Sequence, residues 1–280
     1  MFQYAAGKAL AIKNGDVLKL YTSDLENAPA IGNIKREFGL KDFALTTALA
    51  TKEEVAPLVP GNNLLARIFK KIKAEIWGSN NLLFDPNFFS QTGDVYLNGY
   101  WQSPRYFDEI RDALLVDFQL REPTPALFDA FSSKIKSTTA VSIHVRRGDY
   151  ASNPVVRRQF GICSKQYYQN AISTITARIP NATFFIFSDE PEWVKNNLNL
   201  AGESTVVYIP QNGMSDTHSL VLMSQCQHHI IANSSFSWWA AWLNQNPAKI
   251  VIAPTPWFNS LRYDAHLIPD TWHTLKKNSL

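Results

Sequence analysis

From about residue 138 onward, short apolar runs alternate with helical ones: VSIHVR (141–146), KQYYQNAISTITARI (165–179), TFFIFS (183–188), PEWVKNNL (191–198), TVVYI (205–209), DTHSLVLMSQC (216–226), HIIAN (229–233), FSWWAAWLN (236–244) and KIVIA (249–253). No other feature narrows the fold so far. Parallel strands need a crossover between them, and crossover helices cover both faces of the sheet, so this rhythm predicts an α/β unit with about five parallel strands. The first half is less regular. It reads as a helix at the start, a strand near DVLKLY (16–21), a helical middle, and a strand in DVYLNGYWQ (94–102) before a helix over roughly 104–117. A second α/β unit is expected there. The segment REPTPALFDAFSSKIKSTTA (121–140) starts with two prolines and ends in small polar residues, which places the junction near 138 and divides the chain into 1–137 and 138–280.

Composition excludes several classes. At 280 residues, with 45% hydrophobic and 18% charged, the chain is globular rather than disordered. Its 27 Lys and Arg against 24 Asp and Glu leave +3, dispersed along the chain, which argues against a nucleic-acid partner. Cys163 and Cys226 are isolated in apolar surroundings, without metal-ligand spacing or a disulfide framework, so a reducing cytoplasmic setting is expected. The longest apolar runs fall far short of the ~20 residues of a membrane span, and MFQYAAGKALAIKNG lacks the pattern of a signal peptide. The stretch LLARIFKKIKAEIW (64–77) is basic and amphipathic. Burial of its apolar face in the domain is the first reading, and peripheral contact with the inner face of a membrane is the second.

In an open parallel sheet, ligands bind beyond the carboxyl ends of the strands, so the strand ends carry the chemistry. The first gives Arg146-Arg147-Gly148-Asp149, the second Ser188-Asp189, and the fourth Asn233-Ser234-Ser235-Phe236-Ser237. Two adjacent guanidiniums suit an anionic ligand such as a diphosphate, and Gly148 would let the backbone turn so that both point into one pocket. Ser188 and Asp189 could meet ribose or base edges. NSSFS opens a helix, whose free N–H groups favour an anion. Each residue also has a plainer reading. Asp189, Ser234 and Ser235 could simply cap helices, His144 could be a satisfied core histidine, and Trp238, Trp239 and Trp242 could be packing. No Asp-x-Asp lies at a strand end, and His228 and His229 would point opposite ways on a strand, so no metal is expected.

The stretches SIHVRRGDY, FFIFSDEPEWVKNNL, CQHHIIANSSFSWWAAWLN and VIAPTPWF, in this order, resemble the motif series of bacterial α-1,2-fucosyltransferases, and MFQYAAGKALA and LNGYWQSPRYF (97–107) extend the likeness over most of the chain. The resemblance implies a GT-B fold, two Rossmann-like domains facing each other across a cleft. Residues 1–137 would bind the acceptor and 138–280 would bind GDP-fucose. It also implies inversion at the fucose anomeric carbon and no cofactor or required metal, with transfer to the 2-hydroxyl of a galactose-terminated oligosaccharide or lipid-linked glycan. Arg146 and Arg147 fall on the family's diphosphate-binding pair, Ser188 and Asp189 on the nucleoside-facing motif, and Asn233 to Ser237 on the helix-entry motif. Asp149, ranked ahead of His144, is the candidate base, and Tyr100, Trp101 and Gln102 are candidate acceptor contacts. The shared HxRRGD core leaves other fucosyl linkages open, and a non-catalytic nucleotide-sugar or carbohydrate-binding protein on the same fold is a further alternative. In the family, MFQYA is normally preceded by a strand and a glycine-rich turn reading approximately GGLGNQ; here Met1 comes first, so a shortened polypeptide that binds donor but transfers poorly is expected.

Overall fold

The structure is a computed structural model and describes residues 1–23, 38–59, 84–200, 205–259 and 266–278. The basic amphipathic stretch 64–77 lies outside them. The chain forms two compact units, Met1–Gln119 with Ala265–Leu267, and Leu120–Asp264 with Ile268–Leu280.

In the first unit, helix α1 (Phe2–Asn14) buries Phe2, Tyr4, Ala5, Ala6, Ala9 and Leu10. It ends at Gly15, whose φ of 73° suits a residue without Cβ. Tyr4 is tied down by a 2.7 Å hydrogen bond from its hydroxyl to Asp117. Strands β1 (Lys19–Leu20) and β2 (Ala48–Leu49) pair in parallel, and among the described residues the short helices α2 (Lys52–Val55) and α3 (Arg111–Asp117) follow. The strand expected in 94–102 does not form, and single-turn 3₁₀ segments at Pro104–Tyr106 and Asp108–Ile110 replace the start of the helix expected from 104. The physical reason is local. Trp101 has φ 51°, which breaks an extended run, and the Gly99 carbonyl accepts from the Gln3 side chain at 2.8 Å instead of from a neighbouring strand.

In the second unit, α4 (Ala126–Lys136) leads into β3 (Ala140–Val145). The expected junction near 138 therefore falls between these two elements, and α4 goes with the second unit, where Ser132 donates to Gln225 at 2.7 Å. Next come α5 (Gly148–Ser152), α6 (Pro154–Phe160), α7 (Lys165–Thr176), β4 (Thr183–Ser188), α8 (Pro191–Asn197), β5 (Thr205–Tyr208), α9 (Asp216–Gln225), β6 (His228–Ile230), α10 (Ser235–Leu243), β7 (Val251–Thr255) and β8 (His273–Lys276). The six strands β3 to β8 are all parallel, in the order β5-β4-β3-β6-β7-β8. Numbered from β3 this is 3-2-1-4-5-6, the doubly wound order whose direction reverses beside its first strand. The sixth strand, β8, was not expected. Its residues HTLK hold one apolar side chain, Leu275, and are mostly exposed, so no apolar run announces it.

The pleat of β3 sorts its residues as the alternation predicts. Val141, Ile143 and Val145 pack in a core with Tyr167, Tyr168, Ala171 and Ile175 of α7, Phe184 and Ile186 of β4, and Val194 of α8. Ser142 and His144 belong to the opposite set: Ser142 Oγ lies 2.8 Å from His229 Nδ1, and His144 packs against Phe236 of α10 with ring centroids 5.0 Å apart. His228 and His229 have separate partners, since His228 Nδ1 accepts from the Ile250 N–H at 3.0 Å. Trp238, Trp239 and Trp242 are all buried and contact one another, which is the packing reading of that run. No helix among the described residues is long and apolar enough to cross a membrane.

Candidate active site

The ends of β3, β4 and β6 meet at the switch point of the sheet. At the end of β3 the backbone turns through Arg146 and Arg147 into α5. Arg146 donates from Nη2 to Asp149 Oδ1 at 2.7 Å, and its Nη1 lies 3.1 Å from Asp189 Oδ2 as an ion pair. Its side chain is 37% exposed and that of Asp149 is 50% exposed, so water reaches both. Asp189 does not cap α8; its Oδ1 accepts the backbone N–H of Arg147 at 2.9 Å. Burial raises its pKa above the usual aspartate value, while the Arg147 N–H and the Arg146 charge pull the other way. A Cβ on residue 148 would lie 2.7 Å from Asp189 Oδ2, so Gly148 is needed here for room beside this carboxylate.

The two guanidiniums have different carboxylate partners. Arg147 donates from Nε to Glu190 Oε2 at 3.0 Å, and its guanidinium carbon sits 4.2 Å from the centre of the Trp193 ring. Successive side chains leave the end of a strand in different directions, and Asp189 and Glu190 receive them separately. Ser188 Oγ accepts from the Glu190 N–H at 3.0 Å, which shapes this turn.

The β6 end divides in two. Asn233 is buried and fully used within the protein: Nδ2 donates to the carbonyls of Phe160 (2.8 Å) and Trp257 (3.1 Å), and Oδ1 is 3.5 Å from Cys163 Sγ. Ser237 is also buried, its hydroxyl directed at the carbonyls of Ala232 and Ser234. These two side chains shape the turn, and the other three of the five are the more accessible. Ser235 is exposed, and Ser234 and Phe236 are half-buried. Ser234 is the N-cap residue of α10, yet its side chain makes no capping hydrogen bond, so it leaves the opening N–H groups of that helix to other acceptors.

His144 is buried, and its Nδ1 has no partner among the described residues. Burial, with Arg146 as a smaller contribution, depresses its pKa to about 3, so the ring is neutral. Tyr150, absent from the sequence-based candidates, links the β3 and β6 ends: its hydroxyl donates to the Asn233 carbonyl at 3.3 Å, and its ring lies 5.9 Å from the Arg146 guanidinium. Burial pushes its pKa up to about 12, so it remains a donor. Glu190 and Trp193 were likewise missed, because only the tertiary structure sets them against Arg147. In the first unit, Tyr100 is exposed, whereas Trp101 is buried against Phe88 and Tyr106 and Gln102 is half-buried. Among the described residues, no group of three or more His, Cys, Asp or Glu side chains is placed to hold a metal ion.

Comparison with known proteins identifies the family to which this arrangement belongs. A family model described as Glycosyl transferase family 11 matches residues 81–273. An alpha-1,2-colitosyltransferase of Escherichia coli is 34% identical, covering 99% of this chain and 95% of its own length. The O-antigen biosynthesis glycosyltransferase WbnK of Escherichia coli is 29% identical over 98% of this chain and 96% of its own. The galactoside alpha-(1,2)-fucosyltransferase 2 of Rattus norvegicus is 24% identical over 92% of this chain and 77% of its own.

Proposed function

This chain belongs to glycosyl transferase family 11, and from that premise we propose that it moves L-fucose from GDP-β-L-fucose to the 2-hydroxyl of a terminal galactose, with inversion and without a metal. The supporting observation is Arg146, a water-accessible guanidinium at the switch point of a doubly wound sheet, paired with carboxylates that a phosphate can replace. The reading includes the GT-B arrangement, with the first unit (Met1–Gln119) serving the acceptor and the second (from Leu120) the donor. Tyr100, Trp101 and Gln102 are its acceptor contacts, of which Tyr100 offers an exposed ring.

In this mechanism the bond between the fucose anomeric carbon and the diphosphate oxygen breaks, and its electron pair stays on GDP. Arg146 and the opening N–H groups of α10 stabilise that charge, the role a metal plays elsewhere. The acceptor oxygen forms the new bond from the opposite face and gives its proton to a base. Asp149 serves better than His144. Its carboxylate is half exposed beside Arg146, whereas the imidazolium form of His144 is strongly disfavoured by burial. Ser188 and Asp189 face the nucleoside, with Asp189 also holding the Arg147 backbone.

A second reading has its own observation, the colitosyltransferase name of the 34% identical relative. Colitose is fucose without its 3-hydroxyl. A site that hydrogen-bonds this hydroxyl rejects the deoxy sugar strongly, whereas an apolar closure accepts both. The glycan class follows the O-antigen name of WbnK, so a lipid-linked surface polysaccharide, met at the cytoplasmic membrane face, is included among the acceptors. The test incubates the protein with GDP-fucose or GDP-colitose and galactose-terminated acceptors in excess EDTA, and determines the product linkage by NMR. Transfer from GDP-fucose to the galactose 2-hydroxyl supports the first reading, and a strong preference for GDP-colitose supports the second. Another linkage, or activity that depends on one specific divalent ion, overturns that part of the proposal; GDP binding without transfer points to the non-catalytic alternative.

A further inference from the structure

Directly after β8 stands Lys277, with no exposed surface. A buried ammonium is costly unless each of its three N–H donors has an acceptor. Here they do. Nζ donates to the Phe160 carbonyl, to the Trp257 carbonyl at 3.3 Å and to Asn259 Oδ1 at 3.2 Å. The first two acceptors are the same carbonyls that take the two bonds from Asn233 Nδ2. A carbonyl oxygen has two lone pairs, so Lys277 and Asn233 together saturate both. The lysine backbone is anchored as well, its N–H to Thr255 O at 2.8 Å and its carbonyl to Ser164 N–H at 2.9 Å. Space is tight: a Cβ on Gly161, which has φ +68°, would lie 2.6 Å from Asn259 Oδ1 and 3.0 Å from Lys277 Nζ.

We infer that Lys277 is a positioning residue of the donor site, a buried cation that fixes the β6–α10 turn against the segment following β3. Two paths run from it. Through the shared carbonyls it holds Asn233, whose own carbonyl receives the Tyr150 hydroxyl. Through Phe160 it holds the ring on which Tyr150 stacks, with centroids 5.3 Å apart and planes at 26°. Tyr150 in turn lies against the Arg146 guanidinium. Lys277 touches no part of the expected ligand. It sets the distance between the two loops that do, Arg146–Tyr150 and Asn233–Ser237.

The inference rests on the donor-site reading above, so one arm of its test is independent of the donor. Lys277→Met is compared with the parent by hydrogen exchange and by calorimetric titration with GDP. Exchange is expected to rise at residues 148–160 and 232–237 while β4 keeps its protection, and the GDP Kd is expected to weaken ~10-fold, with a smaller change in kcat than in donor KM. A uniform rise across the sheet, or GDP affinity within twofold of the parent, overturns the inference. If the variant does not fold, Tyr150→Phe decides. It cuts only the hydroxyl link to Asn233 and should weaken GDP about threefold or more, and unchanged affinity overturns the inference equally. Failure of the parent itself to bind GDP counts against the functional reading, and the exchange pattern then decides on Lys277.

Discussion

The rim and the floor of this site are built from opposite kinds of polar contact. On the rim, Arg146, Arg147, Asp149, Asp189 and Glu190 form ion pairs that water reaches, with side chains 21% to 50% exposed. Such pairs contribute about 0–1 kcal/mol each, so a diphosphate can take over a guanidinium at small net cost. In the floor, Asn233, Lys277 and the Ser142–His229 pair are buried and have partners. Removing one partner there leaves a desolvated group at a cost of about 1–3 kcal/mol. The difference separates two tasks: exchangeable charge lies where a ligand arrives, and contacts that cannot be exchanged hold the loops carrying that charge.

Acid should break the floor first. Burial depresses the pKa values of His144 and His229 from 6.5 to about 3, and that of His228 shifts in the same direction. The unfolded chain takes up these protons below about pH 6.5, whereas the folded chain resists until about pH 3. Stability is therefore complete above 6.5 and is lost as pH falls through this window, at up to ~1.4 kcal/mol per pH unit for each fully buried histidine. Asp189, with its raised pKa, acts in the opposite sense from its ordinary value of 3.8 upward. Urea midpoints at pH 7, 6 and 5 should fall steeply below 6.5, and His229→Gln should flatten the slope. A flat profile in the parent would show that water reaches the floor as it does the rim.

Arg146→Ala tests the rim from the other side. Neither of its ion pairs supports the core, so circular dichroism and melting temperature should stay near those of the parent. Transfer should lose ~100-fold or more in kcat/KM, the scale of one charge stabiliser in a transition state. A large loss of stability with modest loss of turnover would move Arg146 from rim to floor.

Much of the second unit was legible because its signals are local. The alternation of β3 and the Pro191 start of α8 need no distant partner to be read. Asn153-Pro154 also carries a local signal, since Asn153 Oδ1 accepts from Val155 N–H at 2.9 Å and caps α6. Other features have no local sign. β8 is mostly polar and, among the described residues, pairs only on its β7 side, and Lys277 looks like any solvated lysine until three acceptors from distant segments surround it. The 94–102 segment misled in the other direction: its aromatic and β-branched residues suggest a strand, but the Trp101 backbone and the Gln3–Gly99 bond hold it apart from any ladder. Of the candidate site, the arginine pair was legible, but the division of labour within it was not, because Glu190 and Trp193 meet Arg147 only in the fold.

That division gives the comparison its finest test. Arg147 is the less exposed of the two arginines, with a side chain 21% exposed against 37% for Arg146. It stands between rim and floor, its guanidinium bonded to Glu190 and stacked on Trp193 while its backbone N–H holds Asp189. Alanine keeps the N–H and deletes only the ion pair and the stacking, each worth on the order of 1 kcal/mol. Arg147→Ala should therefore lower kcat/KM by ~10-fold or less, well short of Arg146→Ala, with a small drop in melting temperature. Glu190→Gln sharpens the result. If Arg147 acts where it lies, weakening its partner costs activity slightly; if donor binding draws the guanidinium away from Glu190 onto the diphosphate, the weaker partner releases it more readily and GDP affinity rises. Equal losses for the two arginine variants, together with tighter GDP binding by Glu190→Gln, would assign both guanidiniums to the leaving group and erase the distinction between them.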